Sequence, residues 1–242
     1  MKPNTRSRLA AAGIVLLAGP AAAKDAIFVQ PAQFDVRTIL QAPPAPDSMQ
    51  TRAELSELHA IEAARTQADF DKAVADGKDE TVFLFNALFG PGFTAEKLPA
   101  TAAFFTRVGN DESVHAKIAK NEWHRPRPVA VDADIHPCGP GKSFSYPSGH
   151  ATRGYVLGIV LASIVPEKRD AILARAADYA RSRLICTVHY RSDVDAGHLL
   201  GTALAALMLA SPQIQQELQG VRTELVVAGY TTGRSPEHVA KN

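Results

Sequence analysis

The chain has 242 residues, 46% of them hydrophobic and 21% charged, with a formal net charge of +1. That length suits one substantial domain with a well-buried core, and the composition excludes general disorder. A near-neutral balance argues against a nucleic-acid polymer or an anionic membrane as partner, so any strongly basic spot must be local.

The first stretch, "MKPNTRSRLAAAGIVLLAGPAAAKDA", reads as a targeting segment. Lys2, Arg6 and Arg8 form a positive region, Leu9 to Leu17 an apolar one, and Ala21-Ala22-Ala23 a small-residue cleavage pattern. A signal peptide over 1–23 is expected, delivering the mature chain to the periplasm or the exterior; its apolar run is too short to span a bilayer. Its removal takes three of the 26 Lys and Arg and none of the 25 Asp and Glu, leaving 23 against 25. Residues 24–50, rich in Pro and Gln, predict an extended arm over the domain.

From residue 51 the period becomes helical. A helix is predicted over 51–77, opened by a Thr51-x-x-Glu54 capping box and stopped near Gly77. Helical runs follow over 79–88, in a broken pair across 94–108, and over 111–121. Later ones cover 149–164, 167–187, 193–210 and 212–228, and residues 229–242 form a tail. No stretch alternates long enough to make a sheet, so 51–228 reads as one all-α, single-domain helical bundle. The most apolar run, "LLGTALAALMLA" (199–210), is too short for a membrane span and reads as a core helix. The long irregular segment is 122–148. Two cysteines, Cys138 and Cys186, fit one disulfide in an oxidising compartment, contributing about 3–4 kcal/mol; two buried free thiols are the alternative.

Three clusters carry chemistry. In "KNEWHRPRP" (120–128), Arg127 is held by Pro126 and Pro128 on a stiff segment seven positions after Lys120. In "SFSYPSGHATRGY" (143–155), Ser148 is the natural N-cap of the helix over 149–164. The first amides of that helix make an anion site with Gly149 at closest approach and His150 on its rim. In "RSRLICTVHYRSDVDAGH" (181–198), Asp193 follows His189 by four, a spacing that lets the carboxylate hold one imidazole nitrogen and free the other as a nucleophile. His-x-x-x-Asp is also a metal-ligand spacing, but Lys120, Arg127 and Arg183 converging there would repel a cation and attract a dianion. His59, His115, His136, His198 and His238 lack matching partners, and His124 lies inside the first cluster but off its motif.

In order, Lys120–Arg127–Pro128, Pro147–Ser148–Gly149–His150 and Ser182–Arg183–His189–Asp193 resemble the tripartite motif of the type 2 phosphatidic acid phosphatase (PAP2) superfamily, which unites bacterial nonspecific acid phosphatases, lipid phosphatases and vanadium haloperoxidases. Within it the chain is most similar to the secreted, all-helical class A bacterial acid phosphatases, with Phe144 in place of their Gly and Ala151 in place of their Thr. The resemblance covers most of residues 50–225. It implies the helical bundle of that superfamily and His189 as the nucleophile that takes the phosphoryl group, oriented by Asp193. It implies His150 as general acid and then base, and Lys120, Arg127, Arg183, Ser148 and the amides of Gly149 and His150 as the phosphate cradle. The implied substrates are small phosphomonoesters, with inorganic phosphate as product, phosphotransfer to alcohols open, no metal or other cofactor, no membrane span in the mature form, and homo-oligomerisation left open. A vanadate-dependent haloperoxidase or a lipid phosphate phosphatase would use the same residues; an anion-binding helical protein would keep the cations without needing His189 beside Asp193.

Overall fold

A computed structural model describes residues 26–233 apart from Pro140 and Lys142; the expected signal peptide and residues 234–242 of the tail lie outside them. Every regular element among the described residues is helical.

The helix expected over 51–77 is two helices, α1 (Met49–Ala64) and α2 (Gln67–Asp76). Thr66 and Asp69 form a reciprocal capping box, at 3.1 Å from Asp69 N–H to Thr66 Oγ1 and 3.0 Å from Thr66 N–H to Asp69 Oδ2. That box starts a new helix where an unbroken one would leave both side chains idle. The expected box at Thr51 does not form. Ser48 caps α1, its Oγ accepting the Thr51 N–H at 3.1 Å, and Glu54 is turned inward and buried. The helix expected over 79–88 is a tight 3-10 segment, Val82–Leu88.

Where separate helices were expected over 94–108 and 111–121, α3 (Pro99–Trp123) runs unbroken for 25 residues. Gly109 costs about 1 kcal/mol against Ala in a helix interior, but here it makes room: a Cβ would lie 2.9 Å from the Arg153 guanidinium. α3 ends at His124, whose φ of 46° turns the chain left-handed. After the single turn α4 (Pro128–Val131), the later helices fall within two residues of expectation: α5 (Gly149–Ile164), α6 (Arg169–Ile185), α7 (Arg191–Ala210) and α8 (Pro212–Val227). The cysteines are bridged, Cys138 to Cys186, with Cα atoms 4.8 Å apart.

α5 is apolar on nearly every side and is the hub, packed on α3, α6 and α7. By length and composition α7 would cross a membrane, yet half of its apolar window is buried inside the fold. It lies against α5 at backbone distance, for a Cβ on Gly197 would sit 2.6 Å from the Ser148 carbonyl and one on Gly201 2.5 Å from that of Thr152. The N-terminal arm is moored to α3 by the buried Asp111 carboxylate, which accepts the amides of Ile27, Phe28 and Val29 at 2.6–2.8 Å. His115, expected to lack a partner, is buried one turn along and contacts the Val29 carbonyl at 2.8 Å.

Gly197→Ala is expected to lower unfolding free energy by about 1–3 kcal/mol, the cost of overpacking, despite better helix propensity. Gly220→Ala in α8, where a Cβ meets nothing within 4 Å, is expected to raise it by up to about 1 kcal/mol. Urea unfolding of the two variants checks both signs; equal effects would refute the close approach of α5 and α7.

Candidate active site

The chain's first turns of α5 and α7 are tied together, the Ser148 amide donating to the Asp193 carbonyl at 2.9 Å. Ser148 caps α5, its Oγ accepting the Ala151 N–H at 3.4 Å. The amides of Gly149 and His150 are left without an intrahelical acceptor, and both residues line an open cavity of about 1130 Å³.

That cavity also receives Lys120 from α3, Arg127 from the segment after it, Arg183 from α6 and His189 from the turn before α7. All of the residues expected to form the site therefore meet there, with Ser148 and Asp193 directly behind. His189 is buried, and its Nδ1 lies 3.2 Å from Asp193 Oδ2 while its Nε2 lies 3.1 Å from Arg127 Nη1. A guanidinium only donates and an ionised carboxylate only accepts. The two contacts together assign the proton to Nδ1 and the free lone pair to Nε2.

Five of the cations that line the cavity fall into two groups. Arg153 is neutralised by Glu112, at 2.6 Å, and Arg125 by Glu54 and Asp193, at 2.8 and 2.6 Å. Lys120, Arg127 and Arg183 instead hold backbone carbonyls: Lys120 those of Phe144 and Pro147, Arg127 those of Ser143 and Val188, and Arg183 that of Ala73. Carbonyls fix a cation's position without cancelling its charge, and Arg183 Nε is buried with no hydrogen-bond partner among the described residues. The uncompensated set is suited to an anion with several oxygens.

The charge shows in the titrations. Burial, then Arg127, brings Lys120 down to about 8. Burial, then Arg183, lowers His150 to about 4, with Glu80 Oε1 at 3.5 Å opposing. His189 is held well below its ordinary value by burial and then by Arg127, against the pull of Asp193. Burial would raise Asp193, but His189, Arg125 and Ser145 together hold it below the usual carboxylate range.

Trp123 packs edge-on against Tyr146, and His59, expected to lack a partner, pairs with Asp132 outside the cavity at 2.9 Å. The sequence reading missed Arg125, which reaches Asp193 from behind, and Glu54, which holds Arg125 there. The signal available for Arg125 was its place in the same Pro-flanked run as Arg127; Glu54 carried none.

Residues 100–217 match the model of the PAP2 superfamily. The chain is 32% identical over 154 residues to an acid phosphatase of Zymomonas mobilis, a match covering 61% of this chain and 58% of that one. It is 32% identical over 147 residues to a non-specific acid phosphatase of Providencia stuartii, covering 58% and 59%. It is 40% identical over 113 residues to one of Salmonella typhimurium, covering 44% and 45%. The chain thus spans under three fifths of the length of these curated relatives. A transmembrane PAP2-type phosphatidylglycerolphosphate phosphatase from Bacillus subtilis, 21% identical, shares the fold with a TM-score of 0.51 over 66% of this chain and 84% of that one.

An anion in the cavity would offset Arg183 and raise His150. Inorganic phosphate is expected to move the His150 midpoint from about 4 towards its ordinary 6.5, read by NMR titration of the imidazole; an unmoved midpoint at saturation would put the anion elsewhere. Without phosphate, the unfolded chain takes up this proton near pH 6.5 while the fold resists it, so stability falls as pH drops from 6.5 to about 4. Phosphate should flatten that fall in melting temperature.

Proposed function

We propose that this chain, whose residues 100–217 match the model of the PAP2 superfamily, is an exported acid phosphatase that hydrolyses small phosphomonoesters through a phosphohistidine. The observation that carries the reading is His189, its Nδ1 on Asp193 and its Nε2 lone pair on Arg127, in a cavity also lined by Lys120 and Arg183, cations that no carboxylate neutralises among the described residues. The names of the relatives, acid phosphatase and non-specific acid phosphatase, point the same way.

In the first step His189 Nε2 attacks phosphorus and the bond to the ester oxygen breaks. His150 gives its proton to the departing alkoxide, which leaves as an alcohol. Asp193 stabilises the imidazolium that results. In the second step His150 takes a proton from water, the hydroxide attacks phosphorus, and the P–N bond breaks to release inorganic phosphate and restore His189. An alcohol in place of water would give phosphotransfer. Lys120, Arg127, Arg183, Ser148 and the amides of Gly149 and His150 hold the equatorial oxygens, where charge accumulates in the transition state. Arg127 exchanges its contact with Nε2 for the incoming phosphoryl oxygen.

The reaction needs neutral His189 and protonated His150 together. Both histidines are depressed in the empty site, and the substrate's own charge raises His150, so turnover favours mildly acidic pH. No metal is invoked, because the position facing Nε2 is filled with positive charge. Export rests on the pattern at 1–23 and fits the disulfide. That the mature chain does not span a membrane is supported by the packing of α7 on α5.

His189→Ala should reduce turnover of p-nitrophenyl phosphate by at least about 10³-fold with an unchanged melting temperature. Enzyme quenched during turnover should carry phosphate on an acid-labile, base-stable bond; a base-labile adduct would move the nucleophile to Ser148. Excess chelator should leave the rate unchanged, and activity lost on chelation and restored by zinc or magnesium would refute the metal-free reading.

A further inference from the structure

Arg125 is almost completely buried, 4% exposed, beside an open cavity, and both terminal nitrogens of its guanidinium are hydrogen-bonded. Nη1 donates to Asp193 Oδ1 at 2.6 Å and to Ser192 Oγ at 2.7 Å; Nη2 donates to Glu54 Oε2 at 2.8 Å. The other Glu54 oxygen accepts the Ser192 amide at 2.9 Å. The plane of the guanidinium lies over Tyr190, its carbon 3.9 Å from the ring centroid. The chain on either side is constrained by the left-handed turn at His124 and by Pro126.

The two oxygens of Asp193 are used unequally. Oδ2 is shared by the Tyr190 amide, the Ser145 hydroxyl and His189 Nδ1. Oδ1 has only Arg125 among the described residues. Without it that oxygen is a buried acceptor with no donor, and the carboxylate is free to rotate or take a proton. Either change releases the Nδ1 proton of His189 and lets the imidazole adopt the wrong tautomer. A simple structural ion pair would need only Glu54; the second arm, to Asp193, is what connects α1 to the reacting imidazole.

We propose that Arg125, anchored by Glu54, is a positioning residue that keeps Asp193 ionised and oriented, and through it sets the tautomer of His189. The proposal rests on the reading of His189 as the nucleophile. Glu54 has its own part. It neutralises Arg125, so the assembly behind His189 keeps the net negative charge of Asp193 that an imidazolium requires. The charged groups around His189 are Lys120 from α3, Arg127 and Arg125 from the segment after it, Arg183 from α6 and Asp193 from α7, with Glu54 from α1 behind.

The test compares the full chain with its Arg125→Met, Arg125→Lys and Glu54→Gln variants. The readouts are the ¹⁵N resonances of the His189 ring without substrate, kcat and KM on p-nitrophenyl phosphate, and melting temperature. The parent chain should show one tautomer, protonated on Nδ1. Arg125→Met should mix the tautomers and lower kcat about 10–100-fold, the range typical of partners that orient an imidazole, with KM within about twofold because the phosphate cradle is intact. Arg125→Lys keeps a charge at Oδ1 and should restore the single tautomer and most of kcat, while Glu54→Gln should give an intermediate loss. A folded Arg125→Met variant with the parent tautomer and kcat overturns the proposal. If that variant does not fold, an unchanged tautomer and kcat in Glu54→Gln overturn it instead. A parent chain that shows no turnover would sink the phosphatase reading, and the tautomer comparison would still decide the role of Arg125.

Discussion

The closeness of α5 to α7 is the constraint on which the site depends. Gly197 and Gly201 let the two backbones approach until a Cβ would collide with the carbonyls of Ser148 and Thr152. At that separation the Ser148 amide reaches the Asp193 carbonyl. The anion-binding start of one helix and the imidazole-orienting start of the other are thereby fixed as one unit. A larger residue at Gly197 would press on the Ser148 carbonyl and so push the first turns of α5 and α7 apart. Catalytic geometry of this kind tolerates displacements well under an ångström, so the small residues on α7 are as much part of the site as the charged ones around it.

A second constraint is electrostatic. Burying several cations around one cavity is unfavourable, and the fold answers it in two ways. Behind the cavity, Arg125 and Arg153 are paired with carboxylates drawn from α1, α3 and α7. On the wall of the cavity, Lys120, Arg127 and Arg183 are held by carbonyl oxygens and by no carboxylate among the described residues. The cost of that second arrangement appears in the depressed titrations of Lys120, His150 and His189. Pairing those cations with acids would stabilise the fold and close the site.

Much of this was legible in the sequence, and the rest was hidden for identifiable reasons. The four long helices from residue 149 onward, and the meeting of Lys120, Arg127, Ser148, Gly149, His150, Arg183, His189 and Asp193, followed from spacing and from the family resemblance. The unbroken α3 was not legible, because the use of Gly109 depends on Arg153, 44 positions away. Nor was the break at Arg65–Thr66. The same Thr-x-x-acid pattern stands at Thr51 and at Thr66, and only the second makes a capping box. Glu54 is diverted because buried Arg125, from the segment after α3, offers it a charged partner, a stronger one than a backbone amide. Local patterns lose wherever a tertiary charge competes for the same side chain.

The disulfide shows how the irregular segment before α5 is made part of the same unit. Cys138 lies in the long segment after α4, and Cys186 caps α6 three residues after Arg183. The Cys138 amide also donates to the Cys186 carbonyl at 3.0 Å, so the connection is both covalent and hydrogen-bonded. Downstream of Cys138 the chain supplies the Ser143 carbonyl to Arg127 and those of Phe144 and Pro147 to Lys120. Downstream of Cys186 it supplies the Val188 carbonyl to Arg127 and then His189 itself. The bridge therefore ties together the two segments that hold Arg127, and Arg127 is the cation in contact with His189 Nε2. One covalent bond and five carbonyl contacts thus do for Arg127, Lys120 and the two cysteine-bearing segments what the ladder of a helix or sheet does elsewhere.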